Sequence, residues 1–244
     1  MISYKGTQCK LYSQVKYSII LSSALGPFLF EKYIEDYSSI NPYLVNHWSF
    51  NNNANDIIGA QNLYDGINFS YVNDRLNRNF SAVYLNYGYF KMPTGIYFNG
   101  DFSVTIWAKI LGYTTWSRFF EISDGTTRDR VLFVLCRSTT GLIGFWINNN
   151  GVERAVTPSI LPSLNKWYHF AFTINGSNGT IYLNGNMIAN AMMIPPRANI
   201  RTFNHFGRSQ YSADKEANAI FDDFMIFNKS LTQDEVIRVM NSIY

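Results

Sequence analysis

The chain has 244 residues, 47% hydrophobic and 17% aromatic, with only 15% charged, against about 25% in a typical soluble domain. Those proportions exclude a coiled coil, which needs Ala, Glu, Lys and Leu in bulk, and a disordered tail poor in apolar residues. The net charge is only +3, and the nearest basic pairs, Arg75/Arg78 and Arg128/Arg130, sit beside Asp74 and Asp129. No Lys/Arg stripe is present to displace counterions, so a nucleic-acid partner is not expected. Asparagine supplies 27 residues, none of them before Asn41.

Residues 1–42 read as an N-terminal extension distinct from the remainder, 43–244. Within it, the uncharged run 17–30 follows Lys5, Lys10 and Lys16 like a weak signal or anchor segment. Fourteen residues fall short of the roughly 18–20 that span a bilayer, and Gly26-Pro27 would break a helix there. Packing of the extension on the following domain is the equal alternative. Cys9 lies in this leader and Cys136 in the apolar run 131–136, a poor basis for a disulfide framework and a good place for a buried thiol.

Beyond Pro42 the pattern is strand and turn. Phe102, Val104, Ile106, Ala108 and Ile110 alternate with Ser103, Thr105, Trp107 and Lys109, the period of a strand with one face on a core. Residues 130–138 are apolar on both faces, as an interior strand is. The run 142–147 reads alike and ends in Asn148-Asn149-Asn150-Gly151, a turn signal. Residues 167–174 and 180–184 flank Asn175-Gly-Ser-Asn-Gly179 and read as a hairpin, and Asn184-Gly185 marks a second tight turn. A strand at 221–227 precedes the one helix signal, Thr232 with Glu235 as a capping box and Leu231 with Val236 as a staple, which predicts a short helix over 233–241. Many short strands and one terminal helix predict an all-β sandwich.

Six segments carry a family resemblance: HWSFNNNANDIIG (47–59), DRLNRNFSAVYLN (74–86), GDFSVTIWAKI (100–110), WSRFFEISDG (116–125), LNKWYHFAFTINGSNGTIYLNGN (164–186) and FDDFMIFNKSLTQDEV (221–236). In this order they resemble a laminin-G-like domain of the concanavalin A-like lectin/glucanase superfamily. The resemblance implies a jelly-roll β-sandwich of two curved antiparallel sheets and an extracellular or cell-surface role in binding or adhesion. It also implies that an Asp in the first loop and one in the terminal strand can share Ca²⁺; the matching positions are Asp56 and Asp222. The residues themselves add that Asn51–Asp56 is rich in oxygen and that strict alternation would set Asp222 on the face of Phe224 and Ile226, where an unpaired carboxylate is costly. Without a cation, Asp222 would pair with an arginine such as Arg208, and Asp56 would cap a turn.

Catalytic patterns are missing. A retaining glycosidase needs two carboxyl groups about 5 Å apart, yet Glu121 and Asp124 are three apart and fall on opposite strand faces. Glu121 then reads as a residue facing solvent or paired with Arg118. No nucleophile elbow, zinc spacing or phosphate loop occurs, and His169 reads as a hydrogen-bonded structural histidine. Trp107, on the Ser/Thr/Lys face of its strand, is the candidate ligand-binding aromatic, unless a loop covers it. Five Asn-x-Ser/Thr sequons, including Asn175 and Asn178, barely exceed the chance level of roughly four for this composition. The expected function is a non-catalytic module that binds a glycan or protein ligand through edge loops. The alternatives are a scaffold domain of a larger receptor or enzyme and, residually, a glycoside hydrolase.

Overall fold

Phe102, Val104, Ile106, Ala108 and Ile110 all lie in the main core of a computed structural model, which describes residues 40–138 and 141–242. The chain divides into two units at Pro42, and the second begins at Tyr43. The run 17–30 and Cys9 lie outside the described residues.

The strands are β1 (Leu44–Trp48), β2 (Tyr64–Val72), β3 (Ala82–Met92), β4 (Phe102–Gly112), β5 (Arg118–Ser123), β6 (Arg130–Arg137) and β7 (Leu142–Asn149). They continue with β8 (Val152–Val156), β9 (Trp167–Asn175), β10 (Asn178–Leu183), β11 (Asn186–Met192), β12 (Phe203–Phe206) and β13 (Ala217–Phe227), before helix α1 (Gln233–Asn241). Every pairing among the described residues is antiparallel, in the order β11-β10-β9-β4-β13-β3-β12-β5-β6-β7-β8, with β1 beside β13 and β2 beside β3. The ladder folds over at β3. Val83–Gly88 of that strand pair with β13, whereas Phe90–Met92 pair with β12, so β3 belongs to both layers of a sandwich.

Gly88 sits at this switch because a side chain would not fit. A Cβ there would lie 2.3 Å from the carbonyl oxygen of Asn68 and 2.4 Å from that of Ile67. Aromatic rings fill the space between the layers. Phe145 of β7 stacks on Phe172 of β9 with centroids 3.6 Å apart, Phe119 meets Phe170 at 5.1 Å, and Phe206 meets Phe221 at 5.0 Å. Each such pair adds about 0.5–1.5 kcal/mol beyond its area burial.

The turns follow the local sequence. Asn150-Gly151 and Asn184-Gly185 hold positive φ at both positions, the requirement of a two-residue type I′ hairpin. Asn175 pairs with Asn178, so the β9–β10 turn is only Gly176-Ser177, tighter than a 175–179 loop. Asn52, Asn68, Asn77 and Asn165 also take positive φ, which Asn tolerates better than most side chains. The asparagine surplus is therefore partly conformational. At the C-terminus the Thr232 hydroxyl accepts from the Glu235 amide, and Glu235 accepts from the Thr232 amide, the reciprocal capping box that starts α1.

Strand β13 departs from strict alternation. Its register with β4 slips between Asp222 and Met225, and Asp223 takes φ +47°, a bulge that inserts extra residues. Phe221 and Phe224 both point into the core, while Asp222 pairs across with Trp107 on the outer face. The alternation that set Asp222 on the Phe224 and Ile226 face is corrected by this bulge.

Candidate functional site

The two acids named from the sequence have separate partners. Asp56 Oδ1 accepts from the backbone amides of His47 (2.9 Å), Ile58 (3.1 Å) and Gly59 (3.0 Å). Its Oδ2 accepts from Asn46 Nδ2 at 2.6 Å and the Gln61 amide at 3.0 Å. These donors hold its carboxyl below the usual carboxylate range against the opposing effect of burial. A calcium ion needs lone pairs directed at it, and those of Asp56 already face five N–H groups, so this donor set does not fit Ca²⁺. Among the described residues, no group of three or more His, Cys, Asp or Glu side chains is arranged to hold a metal ion.

Asp222 is buried on the outer face of β13 and pairs with Arg75, not with Arg208. Arg208 instead lies over the Tyr89 ring, 4.5 Å from its centroid, and 3.9 Å from Glu216. Arg75 also reaches Asp223 Oδ2 at 3.0 Å and the Ser242 carbonyl at 3.2 Å. Burial, reinforced by the charge of Asp223, raises the Asp222 carboxyl, while Arg75 pulls it down. The Arg75 guanidinium covers one face of Trp107, 4.7 Å from the ring centroid, and His169 packs on the indole at 5.3 Å. That face of the indole is taken by a residue of the 73–79 loop. His169 Nδ1 has no hydrogen-bond partner, and burial pushes its pKa down to about 3, so it is neutral.

The opposite outer face lies on β12, β5, β6, β7 and β8. Cross-strand registers lay two parallel rows across it: His205, Glu121, Leu132, Trp146 and Ala155, and beside them Phe203, Ser123, Arg130, Asn148 and Glu153. Leu132, Val134 and Trp146 form a small cluster with Trp116 and Ala155, which is why residues 130–138 read as apolar on both faces. The Trp146 indole lies so close over Gly144 that a Cβ there would be 2.6 Å from the ring.

Arginines organise the polar part of this face. Arg130 donates from Nε to Asn148 Oδ1 (3.1 Å), from Nη2 to Glu153 Oε2 (2.9 Å) and from Nη1 to the Tyr211 hydroxyl (3.4 Å). Arg118 holds Glu121 Oε2 from Nε at 3.2 Å and Asp214 Oδ2 from Nη2 at 3.0 Å. Burial draws the Arg118 pKa down, and the two carboxylates draw it back up. Glu121 is fully buried, which removes the solvent-facing alternative and leaves the Arg118 pair. Asp214 and Glu153 each approach Glu121 only through a shared arginine. Arg118 holds Glu121 through Oε2, while the buried Oε1 of Glu121 has no hydrogen-bond partner among the described residues and lies 3.9 Å from Arg130 Nη1.

Two rings are exposed beside this network: Tyr211, 42% exposed and 5.8 Å from the Arg130 guanidinium, and Phe203, 40% exposed. Phe203 opens the row that contains Ser123 and Arg130. Tyr211 comes from the 207–216 segment, held down by Ser209, whose hydroxyl donates to Asp214 at 2.7 Å and accepts from the Tyr211 amide at 3.1 Å. Nothing local in the sequence links Tyr211 to Arg130, 81 residues away.

A laminin G family model of the concanavalin A-like lectin/glucanases superfamily matches residues 85–237, more than half of the sequence. The chain belongs to that superfamily. No curated protein matches it. Among solved structures, domain 4 of AbnA, a GH43 extracellular arabinanase from Geobacillus stearothermophilus in complex with arabinotriose, aligns with a TM-score of 0.66 and 20% identity. The alignment covers 80% of this chain and 96% of that domain. The binding domain of Paraclostridial Mosquitocidal Protein 1 aligns with a TM-score of 0.66 and 17% identity over 83% of this chain and 52% of its own. Botulinum neurotoxin type C, whose cell entry is dependent upon interaction with two ganglioside molecules, gives 0.60 and 18% over 85% and 53%. The chain thus spans about half the length of the toxin chains it matches. At these identities the likeness concerns the concanavalin A-like fold.

Proposed function

We propose that the chain is a non-catalytic, extracellular carbohydrate-binding module that holds a glycan on the outer face of β12, β5, β6, β7 and β8. One observation carries this reading: the exposed ring of Tyr211 adjoins Arg130, whose guanidinium is oriented by Asn148, Glu153 and Tyr211, and exposed Phe203 stands in the same cross-strand row beyond Ser123. Sugars present apolar C–H faces and hydroxyl edges. A site for them therefore combines amphipathic rings with polar groups whose orientation is already fixed. The arabinotriose complex of AbnA domain 4 and the ganglioside dependence of the neurotoxin are in keeping with such a ligand class. The site lies on a sheet face with the 207–216 segment at its rim, a different place from Trp107.

The test is a glycan array probed with the full chain, with arabinotriose and ganglioside oligosaccharides among the printed ligands. Binding that falls at least tenfold in Tyr211→Ala supports the assignment. Binding to no glycan, or binding indifferent to Tyr211 and Phe203, rejects it. The second reading, a scaffold domain in a larger assembly, is favoured by the half-length match to the toxin chains.

A further inference from the structure

A second polar surface lies on the other layer and shares no residue with the Tyr211 face. Cross-strand pairing of β9 with β10 sets Asn175 opposite Asn178, Thr173 opposite Thr180, and Ala171 opposite Tyr182. The residues that alternate with Phe170, Phe172, Ile174 and Ile181, which are in the core, thus make an outward ladder of amides, hydroxyls and one phenol. The segment Ser230–Thr232, leading into α1, forms a wall beside it, and the two enclose a groove of about 180 Å³.

Two properties set this groove apart from ordinary surface. Thr173, Thr180 and Tyr182 are buried as residues, at 4%, 5% and 8% exposure, so their outer atoms line a recess. Yet the side chains of Thr173, Asn175, Asn178, Thr180, Tyr182 and Ser230 make no hydrogen bond to another described residue, whereas nearby Ser103 bonds both Lys229 and Leu231. Hydroxyls and amides both donate and accept. The groove therefore offers mixed donors and acceptors with no partner among the described residues.

The lining carries no charge, and the adjacent cation, Lys229, is held by Glu235 at 2.5 Å. A phosphate or carboxylate would find no counter-charge there, and an apolar ligand would strip water from the polar groups without replacing it. A neutral polyol meets both conditions. Drug-sized ligands occupy pockets of about 300–1,000 Å³, so this smaller recess suits one sugar ring, with the Tyr182 ring on its floor. We propose that the groove between the β9–β10 ladder and Ser230–Thr232 binds a single neutral sugar residue, as a subsite separate from the face that bears Tyr211 and Arg130.

The experiment is a ¹⁵N–¹H NMR titration of the full chain with D-galactose, D-glucose, N-acetyl-D-glucosamine and L-arabinose. At least one sugar should give saturable shifts in the amides of residues 173–182 and 230–232, with millimolar affinity. The double variant Thr173→Val, Thr180→Val should weaken it at least tenfold while its melting temperature stays within about 2 °C, because no side-chain hydrogen bond to another described residue is lost. Ser230→Ala repeats the test from the opposite wall. Tyr211→Ala should leave these shifts intact, so failure of the other site and failure of this one are distinguishable. Absence of saturable shifts in these segments with all four sugars, or shifts of full size in the double variant, overturns the proposal.

Discussion

Replacing Asp56 by Ala should destabilise the domain by about 3–6 kcal/mol. The side chain accepts five hydrogen bonds, but they are not equal in consequence. Ile58, Gly59 and Gln61 are exposed or half-buried, so water can take over their amides; His47 and Asn46 are buried and cannot be reached as easily. Two buried bonds to a charged acceptor, at about 1.5–3 kcal/mol each, give that figure. For a domain of this size it corresponds to a fall of roughly 6–24 °C in melting temperature. Urea unfolding, read as a shift in midpoint at constant slope, measures it. Because its folded pKa is lowered, the Asp56 contribution is fully present above the unfolded value of 3.8 and is lost as pH falls through the lower folded value. A loss below about 1 kcal/mol in Asp56→Ala would refute the claim that this carboxylate organises the loop. The same geometry predicts that added Ca²⁺ leaves the wild-type melting temperature unchanged, and a calcium-dependent rise of several degrees would refute it independently.

Other expectations follow from the buried groups. His169 is neutral in the fold, with its pKa near 3 rather than 6.5, so the stability it contributes is complete above pH 6.5 and is lost on acidification toward pH 3, by up to about 1.4 kcal/mol per pH unit. His169→Gln should flatten that acid limb of stability against pH; an unchanged limb contradicts the assignment. Asp222 has the opposite sign. Its raised folded pKa makes stability fall as pH rises above the unfolded value of 3.8 toward about 8. Asp222→Asn should therefore gain on the wild type between pH 5 and pH 8, since Arg75 keeps Asp223 as a partner. Gly88→Ala should cost about 1–3 kcal/mol or more in a thermal melt, because the new methyl meets backbone oxygen of β2 that no rotamer can move.

Local order was readable in the sequence wherever a short-range rule governed it. The alternation over 102–110, the Asn-Gly turns at 150 and 184, and the Thr232–Glu235 cap each depend on residues within one element, and each appears in the structure as read. Asp222 was misplaced because a β-bulge is set by what flanks the strand: β1 pairs with one half of β13 and β3 with the other. The Arg75 partner was hidden for a similar reason, since 147 residues separate it from Asp222. The Tyr211 face was the least legible. Its members come from strands that only the fold sets side by side, and the sequence of β6 and β7 advertises apolar residues rather than the arginine at one end.

The most direct test is isothermal titration of the tightest glycan found on the array into wild type, Tyr211→Ala, Arg130→Ala and Trp107→Ala. The face built on β12, β5, β6, β7 and β8 predicts at least a tenfold loss of affinity in the Tyr211 and Arg130 variants and wild-type affinity in the Trp107 variant. Wild-type affinity in the first two, or loss confined to Trp107→Ala in a chain that keeps its fold, would contradict it.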